Sequence, residues 1–242
     1  MLEPSVFRLE KDGSSRAEYE DAIAWSRRRR RFAVADGASA SAFARLWAQL
    51  LVRAYVSGAL RADTIEADLA PLQQRWSAEV EQRDLPWYAV EQARRGAFAA
   101  LVGLTLHDDG AWSALAVGDA CLFVLREGEV HTAMPLSDPA AFGNQPLLIG
   151  SRPAANACLR AQAAIVSASG AWQPGDTFLL MSDALAATFL MQAQSRSALQ
   201  VLEFDRTARG FRRWVRMLRA ERLLRNDDVS LMWLALPTDA AA

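Results

Sequence analysis

The carboxylates of this 242-residue chain are the side chains best placed to do chemistry, because several share one kind of position. Glu20-Asp21 opens the apolar run Ala22 to Trp25, and Asp36-Gly37 ends Phe32-Ala33-Val34-Ala35. Asp119 follows Ala116-Val117-Gly118, Asp183 follows Leu179-Leu180-Met181-Ser182, and Asp227-Asp228 precedes Val229 to Leu236. Alone, an Asp at a strand end is a turn former or a helix cap. Together the positions carry a second meaning, because strands of two packed sheets can bring their ends to one edge. Carboxylates gathered there repel one another unless cations neutralise them. Oxygen donors with no His or Cys nearby select hard ions such as Mg²⁺ or Mn²⁺ over Zn²⁺. The pattern alone leaves both readings open.

The elements that must position these residues are short strands and grouped helices. Val6 to Leu9, Ala22 to Trp25 and Phe32 to Ala35 read as strands, the last two joined across Ser26 and the run Arg27 to Arg31. That run reads as a solvated hairpin tip, with a docking surface for an acidic or phosphorylated partner as the alternative. Ser39 is the expected N-cap of a helix whose apolar face is Phe43, Leu46, Trp47, Leu50 and Leu51. A second helix is expected over Ile65 to Gln82. A third follows Pro86, with Trp87 and Val90 predicted on its buried side. Ala97 to Leu106, Trp112 to Val117, Leu122 to Leu125 and Val130 to Met134 read as antiparallel strands punctuated by hairpin-type turns, Gly118-Asp119 among them. Residues 135–155 read as a long ordered loop. Strands follow at Ala164 to Ser167 and Thr177 to Met181, then two or three helices. The last spans about Thr207 to Leu224, with Phe211, Trp214, Val215 and Leu218 inward. Its Arg209, Arg212, Arg213, Arg216 and Arg219 read as a solvated face. The closing strand, Val229 to Leu236, is apolar enough for burial on both sides. This order implies one α+β domain over residues 1–242, a four-layer α-β-β-α sandwich of two mainly antiparallel sheets with helices on the outer faces.

Bulk composition narrows the function class. A formal net charge of -1 steers nothing toward nucleic acid or an anionic membrane. Lys11 is the only lysine among 27 basic residues, a bias that accompanies GC-rich bacterial genomes. Cys121 and Cys158 sit in apolar or mixed runs, so a reducing interior is expected and no disulfide framework. No run approaches a membrane span, the start lacks a secretory pattern, and a cytoplasmic location is the expectation.

Five segments, in order, resemble the motifs of the bacterial protein phosphatase 2C family. Arg16-Ala17-Glu18-Tyr19-Glu20-Asp21 is similar to its opening Arg and Glu-Asp element. Phe32-Ala33-Val34-Ala35-Asp36-Gly37 resembles the strand that ends in Asp-Gly. Ala116-Val117-Gly118-Asp119 is similar to Val-Gly-Asp-Ser. Residues 175–183, Gly-Asp-Thr-Phe-Leu-Leu-Met-Ser-Asp, resemble the element that ends in Ser-Asp-Gly. Asn226-Asp227-Asp228-Val229-Ser230 resembles the final Asp element, and Phe142-Gly143-Asn144 a loop of bacterial members.

The resemblance implies metal-dependent hydrolysis of phosphoserine and phosphothreonine on proteins, opposing a serine/threonine kinase. Two Mn²⁺ or Mg²⁺ ions would be held, with Asp36 bridging them and the Gly37 carbonyl binding one. Asp183 and Asp227 would hold the other. Glu20 would act through water, Asp21 would orient that shell, and Arg16 would grip the substrate phosphate. Asp119 would help bind a third, weaker ion. A water shared by the two ions would attack phosphorus in line, without a covalent phosphoenzyme.

Departures from the family pattern are Ala184 for a Gly, Ala187 for an Asp used by the third ion, and Ala38 for a His proposed as general acid. Gly96-Ala97-Phe98 replaces a Gly-Thr-Thr-like strand start. His107 and His131 read as structural, Cys121 as a buried small hydrophobe, and the tryptophans as mostly core. Two other readings stand beside catalysis on proteins. One is a phosphatase-like regulatory or binding domain without turnover, the other a hydrolase of small phosphoesters.

Overall fold

The computed structural model describes residues 2–143, 145–156, 159 and 164–238, so Asn144 and Cys158 lie outside the described residues. Eleven strands and six α-helices follow one another as β1 (Ser5–Leu9), β2 (Ala22–Ser26), β3 (Arg31–Gly37), α1 (Ala44–Ser57), α2 (Ile65–Glu81), α3 (Trp87–Arg95), β4 (Phe98–Leu106), β5 (Ala111–Val117), β6 (Cys121–Arg126), β7 (Glu129–Met134), β8 (Ile149–Gly150), β9 (Ile165–Ala171), β10 (Thr177–Met181), α4 (Asp183–Ala193), α5 (Ala198–Val201), α6 (Ala208–Ala220) and β11 (Val229–Ala235). They build two sheets, ordered β1-β11-β10-β6-β7 and β2-β3-β4-β5-β9, with β8 paired to β4. All pairings are antiparallel.

Side-chain alternation sorts the layers. Successive residues of a strand face opposite sides of its sheet. Phe32 and Val34, Val102 and Leu104, Leu122 and Val124, Phe178 and Leu180, and Met232 and Leu234 therefore meet in an apolar layer between the sheets. Their neighbours face outward: Ala33, Ala35 and Leu101 pack under α1 and α2. Phe123, Leu179, Met181, Leu231 and Trp233 pack under α4, α5 and α6. This is an α+β fold of two antiparallel sheets covered by helices. No helix among the described residues is long and apolar enough to cross a membrane.

Several expectations change on contact with the packing. Helix α1 starts at Ala44 behind Phe43, which takes a left-handed conformation, so Ser39 is not its cap. Ser39 accepts a hydrogen bond from Lys11 Nζ at 2.9 Å instead. On α3, Trp87 is 83% and Val90 37% exposed, so neither is on a buried side. The turn Gly118-Asp119 is no hairpin, because β5 and β6 lie in different sheets and the chain crosses between layers there. The long loop holds a short strand, β8, which pairs with the start of β4. Arg219 leaves the solvated face of α6: its side chain is 5% exposed and donates to the carbonyls of Glu10 and Asp227. Arg209, Arg212, Arg213 and Arg216 are exposed as expected.

The arginine run does form the tip between β2 and β3, and much of it is tethered. Arg30 pairs with Asp108 at 2.7 Å, and Arg31 lies over the Tyr55 ring while donating to the Tyr55 carbonyl at 2.8 Å. Tyr55 in turn covers Gly103 of β4, where an added Cβ would lie 2.4–2.5 Å from ring carbons. A methyl group there has no room unless the buried Tyr55 ring is displaced. We expect Gly103→Ala to lower unfolding free energy by about 1–3 kcal/mol, read from urea denaturation midpoints. An unchanged midpoint would contradict this packing.

Candidate active site

Antiparallel pairing brings the acidic strand ends to one edge. Ala22 pairs with Ala35, so the Glu20-Asp21 entrance of β2 lies beside the Asp36-Gly37 exit of β3. Met181 pairs with both Cys121 and Leu231, which sets the exit of β10 (Asp183) beside the entrances of β6 (after Asp119) and β11 (after Asp227-Asp228). The sheets thus contribute carboxylates from two layers.

Two glycines permit the approach. A Cβ on Gly37 would stand 2.7 Å from the Glu20 carbonyl oxygen and 3.1 Å from the Ala44 Cβ. Gly118 has φ +91°, and a Cβ there would lie 2.6 Å from the Ala100 Cβ, so both conformation and space require glycine.

The loops behind the edge are pinned by side chains. Asp228, 4% exposed, accepts the backbone N–H of Lys11 at 2.9 Å and of Glu20 at 2.7 Å. Asn226 exchanges two hydrogen bonds with the Asp12 backbone, at 2.7 and 3.1 Å. The Ser230 N–H donates to Ser182 Oγ at 2.9 Å, and the Ser230 hydroxyl bonds the buried Tyr19 hydroxyl. Asp176, in the same motif as Asp183, does a different job at the opposite end of β10. It accepts Arg126 Nε at 3.0 Å, Arg126 Nη2 at 2.8 Å and the Gln173 N–H at 2.8 Å, closing a turn.

Asp36, Gly37, Asp119, Asp183 and Asp227 line one cavity of about 360 Å³, together with Ala38, Ala100, Leu148 and Arg225. Gly143 and Pro146 complete a wall, so the loop around Phe142 belongs to the site. Glu20 sits beside it in an adjoining cavity of about 540 Å³, 3.6 Å from Lys11 Nζ. Asp21 is buried beneath, and among the described residues neither of its carboxylate oxygens has a hydrogen bond of ordinary geometry, the nearest hydroxyl influence on it being that of Ser230.

Arg16 is not brought in. It is exposed, does not line the cavity, and its carbonyl accepts Arg45 Nη1 at 3.5 Å. Ala187 stands one turn after Asp183 on α4, lining a neighbouring pocket. His107 bonds Ser113 beyond the end of β4 remote from the carboxylates. His131 lies on β7, next to Arg126. The thiol of Cys121 is buried, bonds the Asp119 carbonyl at 3.3 Å, and is pushed up to about 12 by burial, so it is no nucleophile.

Electrostatics at this edge oppose ionisation. Burial, then the negative charges of Asp228, Asp183 and Asp227, raises Asp21 to about 8. Burial followed by Asp183 raises Asp119 to about 7. Asp36 goes well above the usual carboxylate range through burial and the charges of Asp21, Asp183 and Asp119. Asp227 and Glu20 are raised as well, both chiefly by burial. An orphaned buried carboxylate, mutual repulsion and an all-oxygen donor set are what a hard divalent cation relieves. The residues therefore fit such ions.

Among the described residues, no three acidic, Cys or His side chains already close as a ligand set. Arg225 occupies two of these carboxylates, its Nη2 donating to Asp183 Oδ2 and, at 3.1 Å, to Asp227 Oδ2. Arg225, Lys11 and Ser39 are the participants to which sequence reasoning gave no part in the site, and Asp228 was named with the strand-end acids without a role of its own.

A model of the protein phosphatase 2C family matches residues 13–230. No curated protein matches the chain significantly. Among solved structures, the Mycobacterium tuberculosis serine/threonine phosphatase PstP/Ppp is similar at 18% identity and TM-score 0.64, with 98% of this chain and 99% of that one covered. The PstP catalytic domain in complex with two manganese ions aligns at 17% identity and TM-score 0.59, covering 98% of each chain. A bacterial serine phosphatase aligns at 12% identity and TM-score 0.66 over the whole of both chains.

Acids whose folded-state pKa exceeds the unfolded value bind extra protons when folded, so stability falls as pH rises from about 4 through 8. We expect the melting temperature of EDTA-treated protein to drop across that window, and Mn²⁺ to raise it most at the alkaline end. Scanning fluorimetry from pH 5 to 8.5 checks this. Stability that climbs with pH toward 8 would contradict it.

Proposed function

The chain belongs to the protein phosphatase 2C family of metal-dependent serine/threonine phosphatases, and from that premise we propose that it hydrolyses phosphoserine and phosphothreonine in proteins. The observation that carries this reading is the cavity where Asp36, Asp119, Asp183 and Asp227 converge from both sheets. Asp36 and the Gly37 carbonyl would hold one Mn²⁺ or Mg²⁺, and Asp183 and Asp227, with Asp36, the other. Glu20 and Asp21 would support them through water, and Asp119 would serve a third, weaker ion. Such a cation pair, when bound, acidifies water and neutralises charge on a phosphoryl group.

The chain's own residues supply placement. Asp228 fixes the backbone at Glu20, so that carboxylate enters the site from a held loop. Ala38 puts no imidazole at the wall, and none lines the cavity among the described residues, so the leaving-group proton would come from a bound water or from solvent. Arg16 remains the residue that the family pattern nominates for phosphate, although it is exposed and does not line the cavity. A phosphoprotein substrate implies an opposing kinase, and the intracellular reading follows from that role.

The regulatory alternative draws on one observation, the pairing of Arg225 with two of the carboxylates a metal needs. Turnover decides. We expect Mn²⁺-dependent phosphate release from p-nitrophenyl phosphate and from a phosphothreonine peptide, abolished by EDTA and lowered more than about a hundredfold by Asp36→Asn. Inactivity on varied phosphopeptides despite Mn²⁺ binding would favour the regulatory reading. Preference for a small phosphoester over every peptide would make it a metabolite hydrolase.

A further inference from the structure

Arg225 is the sole basic side chain lining the carboxylate cavity among the described residues. Its guanidinium spans Asp183 and Asp227, the two carboxylates that the proposed function assigns to the same cation. Its backbone is held. Leu224 before it is 4% exposed, Asn226 after it is tied to Asp12, and the Arg225 carbonyl accepts the Asp227 N–H at 2.9 Å. The side chain, by contrast, is 52% exposed and can leave toward solvent. A guanidinium and a divalent ion draw on the same carboxylate oxygens, so occupancy by one opposes occupancy by the other.

We propose that Arg225 is an internal counter-cation that competes with the divalent ion for Asp183 and Asp227, and so sets the metal concentration at which the site loads. This rests on the metal-site reading above. It makes two demands of opposite sign. Removing the guanidinium deprives the metal-free protein of compensation for repelling carboxylates, and it frees those oxygens for an ion. An arginine that merely braced the turn would weaken both properties when removed.

Isothermal titration with Mn²⁺ and melting of the EDTA-treated protein, on wild type, Arg225→Gln, Arg225→Lys and Asp36→Asn, separate these cases. We expect Arg225→Gln to bind Mn²⁺ roughly three- to tenfold more tightly, the size of effect given by losing a half-exposed ion-pair pair. Its metal-free form should melt at a lower temperature than wild type. Arg225→Lys, which keeps the charge but loses the planar fork, should fall between the two. Unchanged or weaker Mn²⁺ affinity in Arg225→Gln overturns the proposal, and if that variant does not fold, the same outcome in Arg225→Lys does so. Wild type and Asp36→Asn binding Mn²⁺ alike would sink the metal-site reading, and this inference with it.

Discussion

Mutual repulsion among carboxylates is the constraint around which this molecule is arranged. Asp21, Asp36, Asp119, Asp183 and Asp227 would move apart in a flexible chain, and here they are held at one edge by strands that cannot. The stiffness comes from apolar layers in which Phe178, Leu180, Val34 and Val102 are fully buried. The energy that keeps charges together is thus supplied by residues that never touch them. Proton affinity is raised along the edge by burial first and by the neighbouring negative charges second.

The pinning loops extend the same logic beyond the strands. Asp228 spends its charge on two backbone N–H groups, and Asn226 and Arg219 tie the turn at Asp12 to the entrance of β11. Neighbouring acids in one short motif therefore divide the labour. Asp227 faces the cavity, whereas Asp228 fastens the segment that carries Glu20. A parallel division separates Asp183 at one end of β10 from Asp176 at the other, which locks a turn through Arg126.

Much of this was legible in the chain. Nearly unbroken apolar runs at Leu179 to Met181 and at Val229 to Ala235 are the direct imprint of a sheet with core on both faces, so strands and layers could be read closely. Acidic residues at strand ends marked the edge. What escaped were contacts set by distance in space. Arg225 looks like any turn arginine until Asp183, far away in sequence, is seen to accept its hydrogen bond. Lys11 beside Glu20, and the passage of Gly118-Asp119 between sheets, depend on tertiary placement that no local pattern encodes. Trp87 shows the converse, since helical spacing predicted burial at a residue that is 83% exposed. Ser39, a good cap by type, was claimed by Lys11.

Because Asp21 and Asp36 belong to one sheet and Asp183 and Asp227 to the other, the gap between them is a gauge of how far apart the two sheets stand. Ala100, Ala116 and Ala120 are small residues in that interlayer, close to the acidic edge. A bulkier residue at any of them would wedge the layers and widen the cavity mouth while leaving every acid intact. On the proposed metal reading, the size of ion accepted would depend partly on the volumes of these alanines, and it could drift through core changes that leave the acidic positions untouched.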